Sequence, residues 1–203
     1  MPVKLLSTLP RLTGFCSVLA AAGLSSCQHG RMPKLPKLPK LPAVQAVEAP
    51  MLYEWNGDHL SGPVNVKIVL SEQKAHITRG GEEAGWTYVA AGTPGHPTPP
   101  GSFRIIEKVA DKHSNSWGVV KDADGIIVET DAKRGRTPVP PGGQFIGAPM
   151  PFWMRISGPI GMHAGHIPNP GDPASHGCIR LPQDMAEKLF SITRLGTPVQ
   201  VVP

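Results

Sequence analysis

The 203-residue sequence predicts a mainly β domain, a sandwich or barrel-like sheet pair, with one short helix near its end. Three observations predict it. Apolar runs are short, and several alternate apolar with polar side chains. β-Branched residues recur within them. Glycine and proline, 23 and 24 of them, cut the chain into pieces too brief for long helices.

Taken in order, the expected strands are "VNVKIVL" (64–70), "KAHITR" (74–79), "GWTYVAAG" (85–92), "SFRIIEKV" (102–109), "GIIVET" (125–130), "FWMRIS" (152–157) and "TPVQVV" (197–202). Turn signals such as Gly80-Gly81 and Asp124-Gly125 separate them. "PQDMAEKLFSITRLG" (182–196) is the helix. Met185, Ala186, Leu189, Phe190 and Ile192 share one face, and Pro182 suits the first turn. Asp184 and Glu187 stand near the positive end, Lys188 and Arg194 toward the other, and Gly196 can end it.

The N-terminus speaks for export. Lys4 and Arg11 precede a mostly apolar stretch, Leu12–Leu24, that is short for a membrane span. Residues 1–26 read as a secretory signal peptide. Leu24-Ser25-Ser26-Cys27 resembles the bacterial lipobox, which implies that Cys27 is lipidated and becomes the new N-terminus. Residues 27–50 hold that cysteine and a tether with the repeat "KLPKLPKLP", suited to extended polyproline II at roughly 3 Å per residue. Residues 51–203 are the folded domain, long enough for a proper core.

Charge excludes one class of partner. The +5 total resides in the leader and tether, and residues 43–203 hold 14 Lys and Arg against 15 Asp and Glu. A near-neutral domain without a phosphate loop or interleaved basic and aromatic residues does not point to nucleic acid.

The chemistry gathers around "PASHGCIRLP" (173–182). Of three cysteines, Cys16 leaves with the signal and Cys27 carries lipid, so Cys178 is a lone thiol in an oxidising compartment. It falls just before the helix, where the dipole is expected to lower its pKa. A cysteine nucleophile needs a base and oxyanion donors. His163, 15 residues upstream in "IGMHAG", is the candidate base. The N–H groups of Gly177 and Cys178 are candidate oxyanion donors, and Arg180 offers a fixed charge for a substrate carboxylate.

"SHGCIR" with the upstream "IGMHAG" resembles the L,D-transpeptidase catalytic domain, the YkuD family. "VKIVLSEQKAHITRGG", "TPPGSFRI" and "GTPVQVV" resemble its opening hairpin, its Thr-Pro-x-Gly-x-Phe element and its last strand. The likeness runs from about residue 64 to 202. It implies a β-sandwich with a cysteine catalyst acting on peptidoglycan stem peptides, without a cofactor. It implies Cys178 as nucleophile, His163 as base, Ser175, His176 and Gly177 as residues shaping the site and its oxyanion hole, and Arg180 near the substrate. The thiolate would attack the carbonyl joining diaminopimelate to D-alanine, and the thioester would pass to an amine. That amine is another diaminopimelate, a lysine of an envelope protein or a free D-amino acid; water would make the enzyme a carboxypeptidase. Ala164 departs from the glycine or serine of many members, so its backbone carbonyl must orient His163. The lipid anchor and substrate together imply a periplasm-facing enzyme. Gln28, in place of a retention aspartate, favours the outer membrane's inner leaflet.

Two rival readings compete. His163, His166, His176 and Cys178 form H-x-x-H and H-x-C pairs of the kind zinc accepts, yet they lie on a proline-rich loop without an H-E-x-x-H helix, so no metal is assigned. A non-catalytic envelope-binding lipoprotein would lack the thiol or its base. His166 reads as a cleft-lining or solvated residue. Ser175 reads as a turn serine bonding the backbone. His59, His76, His96 and His113 read as surface or strand residues, and Trp55, Trp86, Trp117 and Trp153 as packing.

Overall fold

The computed structural model describes residues 50–203. The expected signal peptide, Cys16, Cys27 and nearly all of the tether lie outside the described residues.

Two sheets and one helix make up the domain. The first sheet contains β1 (Tyr53–Trp55), β2 (Val64–Val69), β3 (Lys74–Arg79), β4 (Glu82–Tyr88), β5 (Gly101–Arg104) and β11 (Pro198–Val202), in the order β1-β4-β3-β2-β11-β5. The second contains β6 (Glu107–Lys121), β7 (Ile127–Lys133), β8 (Gln144–Ser157), β9 (Ile160–Ala164) and β10 (Ile179–Leu181), in the order β10-β9-β8-β6-β7. Helix α1 (Gln183–Ile192) contacts β8 and β9. The expected β-sheet pair with a short late helix is what forms.

Alternation sets the core. Val64, Val66 and Ile68 of β2 are buried while Asn65 and Lys67 are exposed. These side chains, with Ala75 and Ile77 of β3, join one hydrophobic cluster with Met154, Ile156, Met162, Ile179 and Leu181 of the second sheet. Met185, Ala186 and Leu189 of α1 complete it.

Several expected elements change shape for stated reasons. The run 102–109 is two strands. Ile105 N–H donates to Thr197 O at the first sheet, and Ile106 N–H donates to Arg155 O at the second, so the chain crosses between sheets there. The run 85–92 leaves its sheet after Tyr88. Its tail forms bridges from Ala90 to Arg180 and from Gly92 to Ser175, strapping the first sheet to the Cys178 turn. The helix ends at Ile192 rather than near Gly196. Thr193 Oγ1 donates to Leu189 O, and Lys108 Nζ donates to the Phe190 and Thr193 carbonyls, closing the C-terminal end from outside. Arg194 lies beyond it, and Pro182 is the residue before the first turn.

Candidate active site

Two short strands set the site. β10 runs parallel to β9, with Ile179 opposite Met162, Arg180 opposite His163 and Leu181 opposite Ala164. Met162, Ala164, Ile179 and Leu181 face the core. The period of two therefore turns His163, Cys178 and Arg180 to the other face. There they line one cleft of about 610 Å³, walled by Trp153 and Arg155 of β8 and by the β6–β7 hairpin.

His163 is 6% exposed at the base of this cleft. Its Nδ1 lies 2.8 Å from Ala164 O. Donation of Nδ1–H to that carbonyl fixes the tautomer and leaves Nε2 as the proton acceptor. The backbone carbonyl thus does what the absent serine or glycine neighbour suggested. Burial pushes the His163 pKa down to about 4, and the Arg180 charge pushes the same way.

Cys178 departs from the sequence expectation. The strand β10 intervenes between it and α1, so the thiol does not sit on the helix N-terminus. Burial raises its pKa, opposed by the Gly161 N–H and by the Arg180 and Arg155 charges. Sγ lies 3.6 Å from Pro159 O and donates to it. Both shifts favour the neutral forms, thiol and imidazole alike.

The turn before Cys178 is fixed from within. Ser175 Oγ donates to Cys178 O and accepts from Gly177 N–H at 3.1 Å. Ser175 O accepts from Thr93 N–H, and Thr98 Oγ1 donates to Gly177 O at 2.8 Å while accepting from Gly92 N–H. Gly177 adopts φ +110°, a backbone that other residues resist. Ser175 is the turn serine expected. The oxyanion expectation is corrected: the Gly177 N–H is spent on Ser175, while no acceptor among the described hydrogen bonds takes the Cys178 N–H. Thr93 and Thr98 were not singled out as site residues, although Thr98 opens the Thr-Pro-Pro-Gly element.

Arg180 reaches the cleft with its stem over Gly165, where a Cβ would stand 2.9 Å from Arg180 Cγ. Its guanidinium lies 3.5 Å from His166 O. His166 itself is exposed. Among the described residues no three His, Cys, Asp or Glu side chains converge as a metal-ligand set, so the zinc reading lacks its geometry. His176 stacks on Trp117 with ring centres 3.8 Å apart, and His96 stands 4.9 Å away. His96 is exposed, as expected, and also borders the site. Arg155 was also missed. Its Nε and Nη2 bond Glu107 Oε2 at 2.9 and 2.7 Å, and its Nη1 holds Gly158 O in the turn facing the thiol. Trp153 Nε1 donates to the same carboxylate, which holds Glu107 below the usual range.

The sequence profile of the YkuD family, described as an L,D-transpeptidase catalytic domain, matches residues 63–201. No curated protein matches the chain. Among solved structures, the chain is similar to an L,D-transpeptidase from Mycobacterium smegmatis (21% identity, 69% of this chain and 58% of that one, TM-score 0.52). It is similar to another from Stackebrandtia nassauensis (21% identity, 73% and 60%, TM-score 0.50). A third is an L,D-transpeptidase in complex with imipenem (24% identity, 68% and 58%, TM-score 0.51). The match spans 58–60% of these chains, and at such identities it is a likeness of fold.

Proposed function

The chain belongs to the YkuD family of L,D-transpeptidase catalytic domains, and from that premise we propose that it is a cysteine-dependent acyltransferase acting on peptidoglycan stem peptides, with Cys178 as nucleophile and His163 as base. The observation that carries the reading is the tautomer: His163 Nδ1 is engaged by Ala164 O, and Nε2 is left as acceptor in the cleft that Cys178 lines. In the first step Nε2 takes the thiol proton as sulfur attacks the carbonyl between diaminopimelate and D-alanine. The Cys178 N–H serves the oxyanion. The tetrahedral centre collapses to a thioester, and the departing D-alanine amine receives the proton from the imidazolium. An incoming amine then attacks the thioester, gives its proton to Nε2, and the thiol is restored. Arg180 offers its charge to a substrate carboxylate at the cleft wall.

The acceptor is an amine of diaminopimelate, an envelope-protein lysine or a D-amino acid, and Cys27 anchors the enzyme by lipid on the periplasmic side, in the outer membrane's inner leaflet. The lipobox and the Lys-Leu-Pro tether support this placement.

The test is intact-mass spectrometry of the protein with imipenem, beside Cys178→Ala. One adduct on the parent and none on the variant supports the reading. No adduct on a parent with native circular dichroism sinks it.

A further inference from the structure

The turn carrying Cys178 is held on its inner side by Thr93, Thr98 and Ser175. Its outer side is held by a different device, reaching in from the β6–β7 hairpin. The His176 ring lies 3.8 Å from the Trp117 ring at an interplanar angle of 13°. His176 Nε2 is 3.4 Å from Asp131 Oδ1 on β7. His96, from the strap that follows β4, closes the group at 4.9 Å from His176 and 5.4 Å from Trp117. Lys133 Nζ lies 5.1 Å from the Trp117 ring centre, and Arg180 adds its charge from β10.

The hairpin is bent to make this contact. The β6–β8 register shifts between His113 and Gly118. Ser114 Oγ accepts from the Ser116 and Trp117 N–H groups, tying the irregular segment into a local turn. Such a bulge re-aims the side chain that follows it. Trp117 then meets a histidine two residues before the thiol.

We propose that Trp117 and Asp131 are positioning residues: through His176 they hold the turn that aims the Cys178 sulfur and N–H into the cleft. The proposal rests on Cys178 being the nucleophile. An aligned ring stack supplies the orientation, and the carboxylate fixes the rotation of the imidazole about that stack. His176 therefore acts through its neighbours in the turn. Trp117 and Asp131 act through His176, whatever acyl donor fills the cleft.

The experiment measures the second-order rate of Cys178 acylation by imipenem, and amide hydrogen exchange across residues 175–178. The variants are Trp117→Ala, Trp117→Phe and Asp131→Asn, each made with and without His176→Ala. Trp117→Ala is expected to slow acylation about tenfold, the upper end of a ring-pair contribution. Trp117→Phe, which keeps a stacking face, recovers most of that loss. Asp131→Asn costs about threefold, as for the loss of one hydrogen bond between the neutral imidazole and the carboxylate. In the His176→Ala background neither Trp117→Ala nor Asp131→Asn slows acylation further. Turn amides exchange about tenfold faster in Trp117→Ala and near the parent rate in Trp117→Phe.

Trp117 also lines the cleft, so a direct contact with imipenem is the competing explanation. Equal slowing by Trp117→Ala with and without the His176 imidazole would establish that contact and overturn the proposal. Unchanged exchange at 175–178 in Trp117→Ala also overturns it. A parent protein that imipenem does not acylate defeats the proposed function instead, and the exchange data then judge the positioning role alone.

Discussion

His163 couples the stability of the fold to pH through its burial. The imidazole is buried, and its folded pKa stands at about 4 against an ordinary 6.5. The sign follows from proton counting. Above pH 6.5 both states leave the ring neutral and its burial costs nothing in charge. Between pH 6.5 and about 4 the unfolded chain binds a proton that the folded protein refuses, so stability falls as pH falls. Each pH unit is worth about 1.4 kcal/mol. Across the window the loss sums to about 3 kcal/mol. Glutamine at 163 keeps a neutral polar side chain of similar size and removes the titration. Urea denaturation of the parent and of His163→Gln at pH 7, 6, 5 and 4 reads the effect as a difference. Contributions from Glu107, Asp58 and His176 are common to both proteins and cancel. The parent is expected to lose about 3 kcal/mol more than His163→Gln between pH 7 and 4. Parallel stability curves would refute the burial argument, because a ring hydrated enough to titrate normally binds its proton equally in both states. The displaced pKa has a second effect. It keeps the imidazole neutral, and so competent as a base, well into mildly acidic conditions.

Two further outcomes follow, one from local geometry and one from the proposed lipid anchor. At Gly161 a Cβ would stand 2.7 Å from Met154 O and 2.7 Å from the Trp153 ring, so Gly161→Ala must displace backbone or an anchored indole. It is expected to cost about 1–3 kcal/mol, read as a lower thermal midpoint, and to slow acylation by disturbing the N–H that faces the sulfur; an unchanged midpoint would mean Trp153 moves freely. Cys27→Ala, expressed with its leader, is expected to leave the membrane fraction, since the proposed anchor is the lipid on that thiol; unchanged fractionation would remove the anchor from the account.

The sequence carried the first sheet well because its strands are half-buried. In β2 and β3 the apolar side chains alternate with Asn65, Lys67 and His76, and that pattern is visible in one dimension. The second sheet was read in fragments. β6 spans Glu107–Lys121 with mostly exposed or half-buried side chains, and its register breaks between His113 and Gly118, so no alternation marks it. β10 is three residues long, and its parallel pairing with β9 is a tertiary fact. The same distinction governs the site. Ser175, Gly177 and Cys178 lie together in sequence and were legible as a unit. Asp131, Trp117, His96 and Arg155 meet that unit from four other segments, and nothing in their spacing announces it. The thiol environment was misread for the same reason. Proximity to a helix in sequence suggested a dipole, whereas three residues of intervening strand separate the thiol from the helix and leave it half-buried in the cleft.

The place of β11 governs how the domain can come together over time. Pro198–Val202 lie between β2 and β5, parallel to the first and antiparallel to the second. Until those five residues are available, β5 has no hydrogen-bonded neighbour in its sheet and the crossing at Ile105 lacks Thr197 as its acceptor. Such pairings join segments more than 90 residues apart along the chain and are slow to nucleate. A chain emerging N-terminus first therefore holds β1 to β4 as a stack whose β2 edge waits for β11, and carries Cys178 on a turn whose two supporting sheets are not yet spliced. The turn that carries Cys178 therefore takes its final form late, as a property of the nearly finished polypeptide.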